Sequence, residues 1–248
     1  MTKKLHIDTL CVQAGYNPTK GEPRQVPIIQ STTFKYDTSE QMGKLFDLEE
    51  NGYFYTRLQN PTNDTTAAQI AAMEGGVAAM LTSSGQAANF FACFNICQAG
   101  DHIITTTRIY GGTYNQFRIS LRKLGIECRI AKSEKAEDFE PLIDERTKMI
   151  YAESMGNPTC DVPDLQALGE LAKRKDVPFV VDNTFGAAGF LCNPFDWGAN
   201  IIVDSATKWI NGHGTAMGGI IVDGGNYNWG NGKFPQIDGP SEGYHGLN

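Results

Sequence analysis

A chain of 248 residues, 41% hydrophobic and 20% charged, is long and apolar enough for one large α/β domain or two small ones. Its net charge of −7 argues against nucleic acid or an anionic membrane as a partner, and no basic patch with interleaved aromatics appears. No run is long enough to span a bilayer, and Met1-Thr2-Lys3-Lys4-Leu5 has no apolar stretch behind its lysines, so no leader is expected and a cytoplasmic protein is. Cys11, Cys93, Cys97, Cys128, Cys160 and Cys192 show no paired ligand spacing, so no metal site is expected. Cys93 and Cys97 sit one helical turn apart in an apolar pattern, which predicts buried thiols.

Residues 1–60 carry weak periodicity and recurrent turn residues (Asn17-Pro18, Gly21, Pro23), and read as an extended arm that wraps a neighbouring subunit. Within it, Tyr55-Thr56-Arg57 offers a phenol and a forked guanidinium suited to a phosphate, or simply a surface arginine. From there the pattern becomes regular. Thr62 or Asn63 is expected to cap a helix that runs to about Glu74, with Gly75-Gly76 ending it. Ala78–Thr82 reads as a strand, Ser83-Ser84-Gly85-Gln86 as a turn, and Ala87 to about Gln98 as a helix. A strand, a small turn and a helix N-terminus make a cradle for an anion. No P-loop spacing occurs anywhere.

Asp101–Thr106 is the next predicted strand. It leads to Tyr110-Gly111-Gly112-Thr113 and a helix to about Leu124, with Gly125 past its end. Tyr110 is either a ring that stacks on a planar ligand or a packed core tyrosine. Ile126–Ala131 is a strand, 136–144 a helix, and Met149–Ser154 a strand entering Met155-Gly156-Asn157-Pro158. There Asn157, held extended before proline, can offer its amide to an ionised ring oxygen, or serve only the turn. Asp164 caps an amphipathic helix to about Lys173.

Two buried-strand patterns then carry the strongest chemistry. Val177–Phe185 has Asp182 at its carboxyl end, where a carboxylate can hold a ring nitrogen protonated. Ile201–Val203 runs through Asp204 into Ser205-Ala206-Thr207-Lys208 and a glycine-rich tail. A lysine at a buried strand end is expected to be desolvated and able to form a Schiff base, with the Ser205 and Thr207 hydroxyls sharing its space; the alternative is a solvated lysine. Met217–Asp223 is one more strand, and from Gly224 onward no periodic element is expected. The alternation predicts an α/β fold with a mostly parallel sheet, right-handed crossovers and helices on both faces. Ligands in such sheets bind at the carboxyl ends of strands, where the candidates fall.

In this order the motifs Tyr55-x-Arg57, Ser84-Gly85-Gln86, Tyr110-Gly111, Asn157-Pro158, Asp182 and Ser205-x-Thr207-Lys208 resemble the Cys/Met-metabolism family of fold-type I pyridoxal-phosphate enzymes. Within it, Val162-Pro163-Asp164, Gly212-His213-Gly214-Thr215, Val222-Asp223-Gly224-Gly225, Gln86 and the segment Pro240 to Gly246 with Tyr244-His245 look like the O-acetylhomoserine sulfhydrylases. The resemblance implies a large domain from residue 61 to 248 that binds pyridoxal 5′-phosphate. Lys208 is its covalent holder and general base, Asp182 the partner of the ring nitrogen, and Tyr110 a stacked ring that assists leaving-group chemistry. The phosphate is taken by Gly85 and Gln86 amides, Ser84, Ser205 and Thr207, with Tyr55 and Arg57 serving the adjacent subunit's site, and Asn157 faces the phenolate.

It also implies γ-replacement on O-acetylhomoserine with sulfide or a thiol, giving homocysteine and acetate for methionine and cysteine biosynthesis, in a homotetramer built of dimers. The rivals are a methionine or cystathionine γ-lyase, a cystathionine γ-synthase, or an inactive binding protein on the same fold. Asn200 stands where the family usually has an acid, and Asn211 where it often has glycine. The family continues into a smaller C-terminal domain bearing an arginine for the substrate carboxylate, whereas this chain stops at Gly246-Leu247-Asn248. A truncated or cleaved form of a longer protein is therefore expected.

Overall fold

The computed structural model describes residues 5–244, 246 and 247; the expectations placed on Met1–Lys4, His245 and Asn248 lie outside the described residues. Seven strands form one sheet: β1 (Ala78–Thr82), β2 (His102–Thr105), β3 (Glu127–Ile130), β4 (Thr147–Glu153), β5 (Phe179–Asp182), β6 (Ile201–Asp204) and β7 (Gly219–Asp223). Their order is β1-β7-β6-β5-β4-β2-β3. β3, β2, β4, β5 and β6 pair in parallel, and only β7 runs against its neighbours β1 and β6. The sheet is thus mostly parallel, as its continuous apolar strands require when both faces are covered.

Helices pack on both faces. On one, α4 (Gly85–Ile96) lays Ala88, Ala92, Cys93 and Ile96 against Tyr151, Val180 and Val203. On the other, α7 (Leu165–Lys175) buries Leu168 and Leu171 against Ile150 and Val181, and α3 (Pro61–Glu74) buries Ile70 and Ala71 against Ile202 and Ile220. Cys93 and Cys97 are buried thiols, as expected, Cys128 is buried as well, and all six cysteines are unpaired.

Local chemistry sets the helix ends. α3 begins at Pro61, one residue before the expected cap, because Asn60 Oδ1 accepts the Thr62 N–H at 2.9 Å and proline fits the first helical position. Gly75 ends it in the left-handed region at φ 79°. α4 starts at Gly85 and not Ala87, since Ser84 Oγ accepts the Ala87 N–H at 3.1 Å. Asp164 caps α7 as expected, accepting from Ala167 at 2.9 Å, and Lys173, Arg174 and Lys175 suit its C-terminal dipole. The helix expected after Tyr110 is short: Gly111–Asn115 continues as a π turn over Gln116–Ser120 and a 3₁₀ turn over Leu121–Leu124. The helix expected over 136–144 likewise stops at Phe139, because Pro141 enters a 3₁₀ turn at Glu140–Leu142.

The N-terminal segment holds two helices that its weak periodicity did not predict, Ile7–Gln13 and Ser39–Phe46, capped by His6 and Thr38. The tail after Gly224 has only short turns of helix, but it is packed: Tyr227 and Trp229 meet Phe234 edge-on, and Phe234 is buried in the same layer as α4. Aromatic contacts of this kind leave no period in a sequence.

Candidate active site

The carboxyl ends of β4, β5 and β6 and the turn after β1 face one another. Asp182 ends β5 beside Glu153 of β4 in register, and both lie on the α4 side of the sheet. Asp182 Oδ1 accepts the Thr184 N–H at 3.0 Å and its hydroxyl at 2.5 Å. The Tyr151 hydroxyl lies 3.1 Å from Asp182 Oδ2 and 3.0 Å from Asn89 Oδ1. Burial pushes the Asp182 carboxyl up, and the bonds from Thr184 and Tyr151 pull it down by favouring the ionised form. Thr184 Oγ1 in turn accepts the Ser205 N–H at 2.8 Å, which ties the end of β5 to the turn after β6.

Ser205 also meets the start of α4. A Cβ added at Gly85 would stand 2.7 Å from Ser205 Cβ, so only glycine permits this approach. Ser84 caps the helix, and the first N–H groups, those of Gly85 and Gln86, have no acceptor inside it. The Gln86 side chain is turned aside: Nε2 donates to Gly112 O at 3.2 Å and Oε1 accepts the Thr113 hydroxyl at 3.1 Å. Asn89 Nδ2 reaches Thr113 Oγ1 at 3.3 Å, so polar contacts run from Gln86 to Asp182 and on to Ser205, the single Tyr151 hydrogen serving either Asn89 Oδ1 or Asp182 Oδ2 at one time.

Tyr110 and Asn157 are held together by Glu153. Its Oε1 accepts the Tyr110 N–H at 2.7 Å, and its carboxylate also takes the Asn157 N–H. Burial pushes Glu153 up to about 8, with the charge of Asp182 adding to it, so near neutral pH the two neighbours do not both carry a charge. The Tyr110 ring is 50% exposed, which removes the packed-core alternative.

Two placements differ from expectation. Lys208 is exposed, because β6 ends at Asp204 and the lysine follows in an open turn; burial does not desolvate it in this chain. The Thr207 hydroxyl does not stand free beside it but bonds Gly218, 3.2 Å from its carbonyl and 3.1 Å from its N–H. Asn157 lies in a turn, with the Asn157–Pro158 bond cis. Tyr55 and Arg57 stack on each other, with the guanidinium carbon 5.4 Å from the ring centroid, and Tyr55 bridges Thr33; none of the contacts described for them reaches the Ser84–Lys208 group.

The sequence profile of the Cys/Met metabolism PLP-dependent enzymes matches residues 8–240. The chain belongs to this family. It is 49% identical over 246 residues to the homocysteine/cysteine synthase of Kluyveromyces lactis, covering 98% of this chain and 55% of that protein. It is 46% identical over 248 residues to O-acetyl-L-homoserine sulfhydrylase 1 of Thermus thermophilus, covering 98% of this chain and 58% of that one. Among solved structures, a Campylobacter jejuni protein described as a putative O-acetylhomoserine (thiol)-lyase, carrying a pyridoxyl-lysine phosphate, superposes with a TM-score of 0.94 at 34% identity. That match covers 98% of this chain and 60% of the other. The chain thus spans between 55% and 60% of the length of these relatives.

The donor set fits the family's cofactor, pyridoxal phosphate. A helix N-terminus bearing Ser84, Gly85 and Gln86, closed against Ser205, offers N–H and hydroxyl groups to a phosphate. The Asp182 carboxylate, held by Thr184 and Tyr151, offers an anion to a ring nitrogen. Sequence reasoning missed Tyr151, Asn89, Thr113 and Thr184. Two of them were within reach: Tyr151 is two residues before Glu153 on the same strand face, and Thr184 is two after Asp182.

Proposed function

We propose that the protein catalyses γ-replacement on O-acetyl-L-homoserine with sulfide or a thiol, releasing acetate and forming homocysteine, for methionine and cysteine biosynthesis. The observation that carries this is the linked set of Asp182, Thr184, Ser205 and Gly85 at the strand ends, in a chain whose relatives include a homocysteine/cysteine synthase and an O-acetylhomoserine sulfhydrylase. When bound, pyridoxal phosphate supplies an electron sink for negative charge at the substrate's carbons. Lys208 Nζ holds the cofactor and, once released, takes the proton from the substrate's Cα. Asp182, whose donors favour its carboxylate form against the push of burial, would hold a proton on the ring nitrogen. Loss of a Cβ proton would let acetate leave Cγ; sulfide then adds there, and protons return to Cβ and Cα to complete homocysteine. Tyr110, exposed at the mouth of the site and held at its backbone by Glu153, presents its phenol to the leaving group. Ser84, Ser205 and Thr207 with the Gly85 and Gln86 amides serve the phosphate, and Asn157 serves the ring oxygen.

We further infer a homotetramer in which Tyr55 and Arg57 of the 1–60 arm serve a neighbour's site, since their own contacts do not reach the Ser84–Lys208 group. A cytoplasmic place of action is supported by six unpaired cysteines, as expected of a reducing compartment; among the described residues no helix is long and apolar enough to cross a membrane.

The test is product identity by mass spectrometry with O-acetylhomoserine, with and without sulfide. Homocysteine that appears only with sulfide supports the reading. A 2-oxo acid and ammonia forming equally without sulfide would replace it with a γ-lyase.

A further inference from the structure

Two carboxyl groups meet on the far side of the sheet, and the proposed reaction uses neither. Asp204 closes β6 and Glu74 closes α3; their exposures are 1% and 0%. Asp182 pairs with Val203, so strand alternation turns Asp204 to the opposite face, into the layer of Ile70, Ala71, Ile202 and Ile220. There it is in hydrogen-bonding contact with Glu74. No N–H or hydroxyl group donates to either Asp204 oxygen. Asn183 Nδ2 approaches the two Glu74 oxygens at 3.0 and 3.1 Å and the Cys192 carbonyl at 2.9 Å, so its two hydrogens are already committed.

The other titratable groups that act on the pair are Asp182 across the sheet and Cys192 from the loop beyond Asn183, and no cation is among them. Two ionised carboxylates in contact here would repel each other in an apolar layer with a donor missing. One proton between them removes the repulsion and supplies that donor.

We propose that Glu74 and Asp204 share a single proton and act as a positioning pair, fastening the end of α3 under the strand end from which Ser205, Thr207 and Lys208 follow. The functional part rests on the reading that this turn holds the cofactor. Its route is short. Asp204 adjoins Ser205, and Asn183, which grips Glu74, lies between Asp182 and Thr184, so one strand end connects the two faces. Burial pushes both carboxyls up, Glu74 to about 8 and Asp204 well above the carboxylate range; the charge of Glu74 pushes Asp204 further, while the bonds with Asn183 and Asp204 pull Glu74 partly back. An acid whose pKa is raised on folding binds its proton more tightly in the folded chain. Its contribution is therefore full below the ordinary value of 4.5 and is lost as pH rises through about 8.

The experiment compares the wild type with Asp204→Asn and Glu74→Gln, in which an amide N–H replaces the shared proton. Thermal unfolding, pyridoxal phosphate affinity and the infrared carbonyl band of a protonated carboxylic acid are read at about pH 7 and about pH 9. Expected are a carboxylic-acid band in the wild-type minus Asp204→Asn difference at the lower pH, and a wild-type fall in unfolding midpoint at the higher. Cofactor affinity should fall about tenfold more in the wild type than in either variant over that interval, each unit beyond the midpoint being tenfold in the ionised fraction. Parallel pH profiles in all three proteins, or no such band, would overturn the proposal. If one variant does not fold, the other replaces the opposite partner and decides it. If the wild type binds no cofactor at either pH, the functional reading fails, and the shared proton is still judged by the band and the unfolding profiles.

Discussion

The sheet and the segment before it are held by different means. From residue 61 to 223, strands such as β2 and β6 are buried along their whole length, and helices close both faces. Among the described residues before Pro61, only Leu45, Phe54 and Asn60 are buried. That segment is attached to α3 through a few polar bonds: Gln69 Nε2 to Cys11 O at 2.7 Å, Asn60 Nδ2 to Ile29 O at 3.0 Å, and Thr62 Oγ1 to Pro27 O at 3.0 Å. Apolar burial in the sheet supplies stability. The segment, with little burial of its own, gains a role only from what its exposed groups reach.

Four substitutions test that division. Lys208→Ala should lower turnover by about 10⁴-fold or more, since it removes both the cofactor's holder and a general base, while circular dichroism stays unchanged; retention of more than a trace of activity would overturn the lysine's role. Phe117→Ala, in the layer where that ring meets Tyr151 edge-on at 4.9 Å, should cost about 3–5 kcal/mol in denaturant unfolding. The same measurement on Val12→Ala, 79% exposed in the N-terminal segment, should move by less than about 0.5 kcal/mol; similar losses for the two would break the comparison. Arg57→Ala should weaken cofactor affinity by about tenfold or more, the scale of one charge-assisted hydrogen bond, with the unfolding midpoint unchanged. An unaltered affinity there would mean that the arm serves no neighbour's site.

What the sequence made legible follows the same line. Ile201–Asp204 announces itself as an apolar run because it is buried as a whole strand, Ala78–Thr82 is a legible apolar run although none of its residues is buried, and Asp182 is visible because a polar residue ends a buried run. Cap chemistry was less legible: Thr62 looked like a cap, yet Asn60 holds that place because Pro61 already fits the first turn. The exposure of Lys208 could not be read from neighbours in sequence, since it depends on β6 ending four residues earlier. Glu74 and Asp204 stayed hidden for a different reason. Each is an ordinary acid at the end of an element, and only the pairing of Asp182 with Val203 places them face to face.

The one reversed strand has a consequence for the order in which the molecule can be made. β1 is hydrogen-bonded to the sheet through β7 alone, although β7 is the last strand among the described residues. A growing polypeptide therefore carries β1 and the α4 N-terminus without their sheet partner until residue 223 has been synthesised, a long-range closure of the kind that slows folding. The same late strand sets Gly219 against Ser84, where an added Cβ would stand 2.1 Å from the Ser84 carbonyl oxygen. The N-terminal end of α4 is thus among the last parts to be seated, and a nascent chain short of β7 would be translated without the Ser84–Gly219 contact that completes the proposed cofactor cradle.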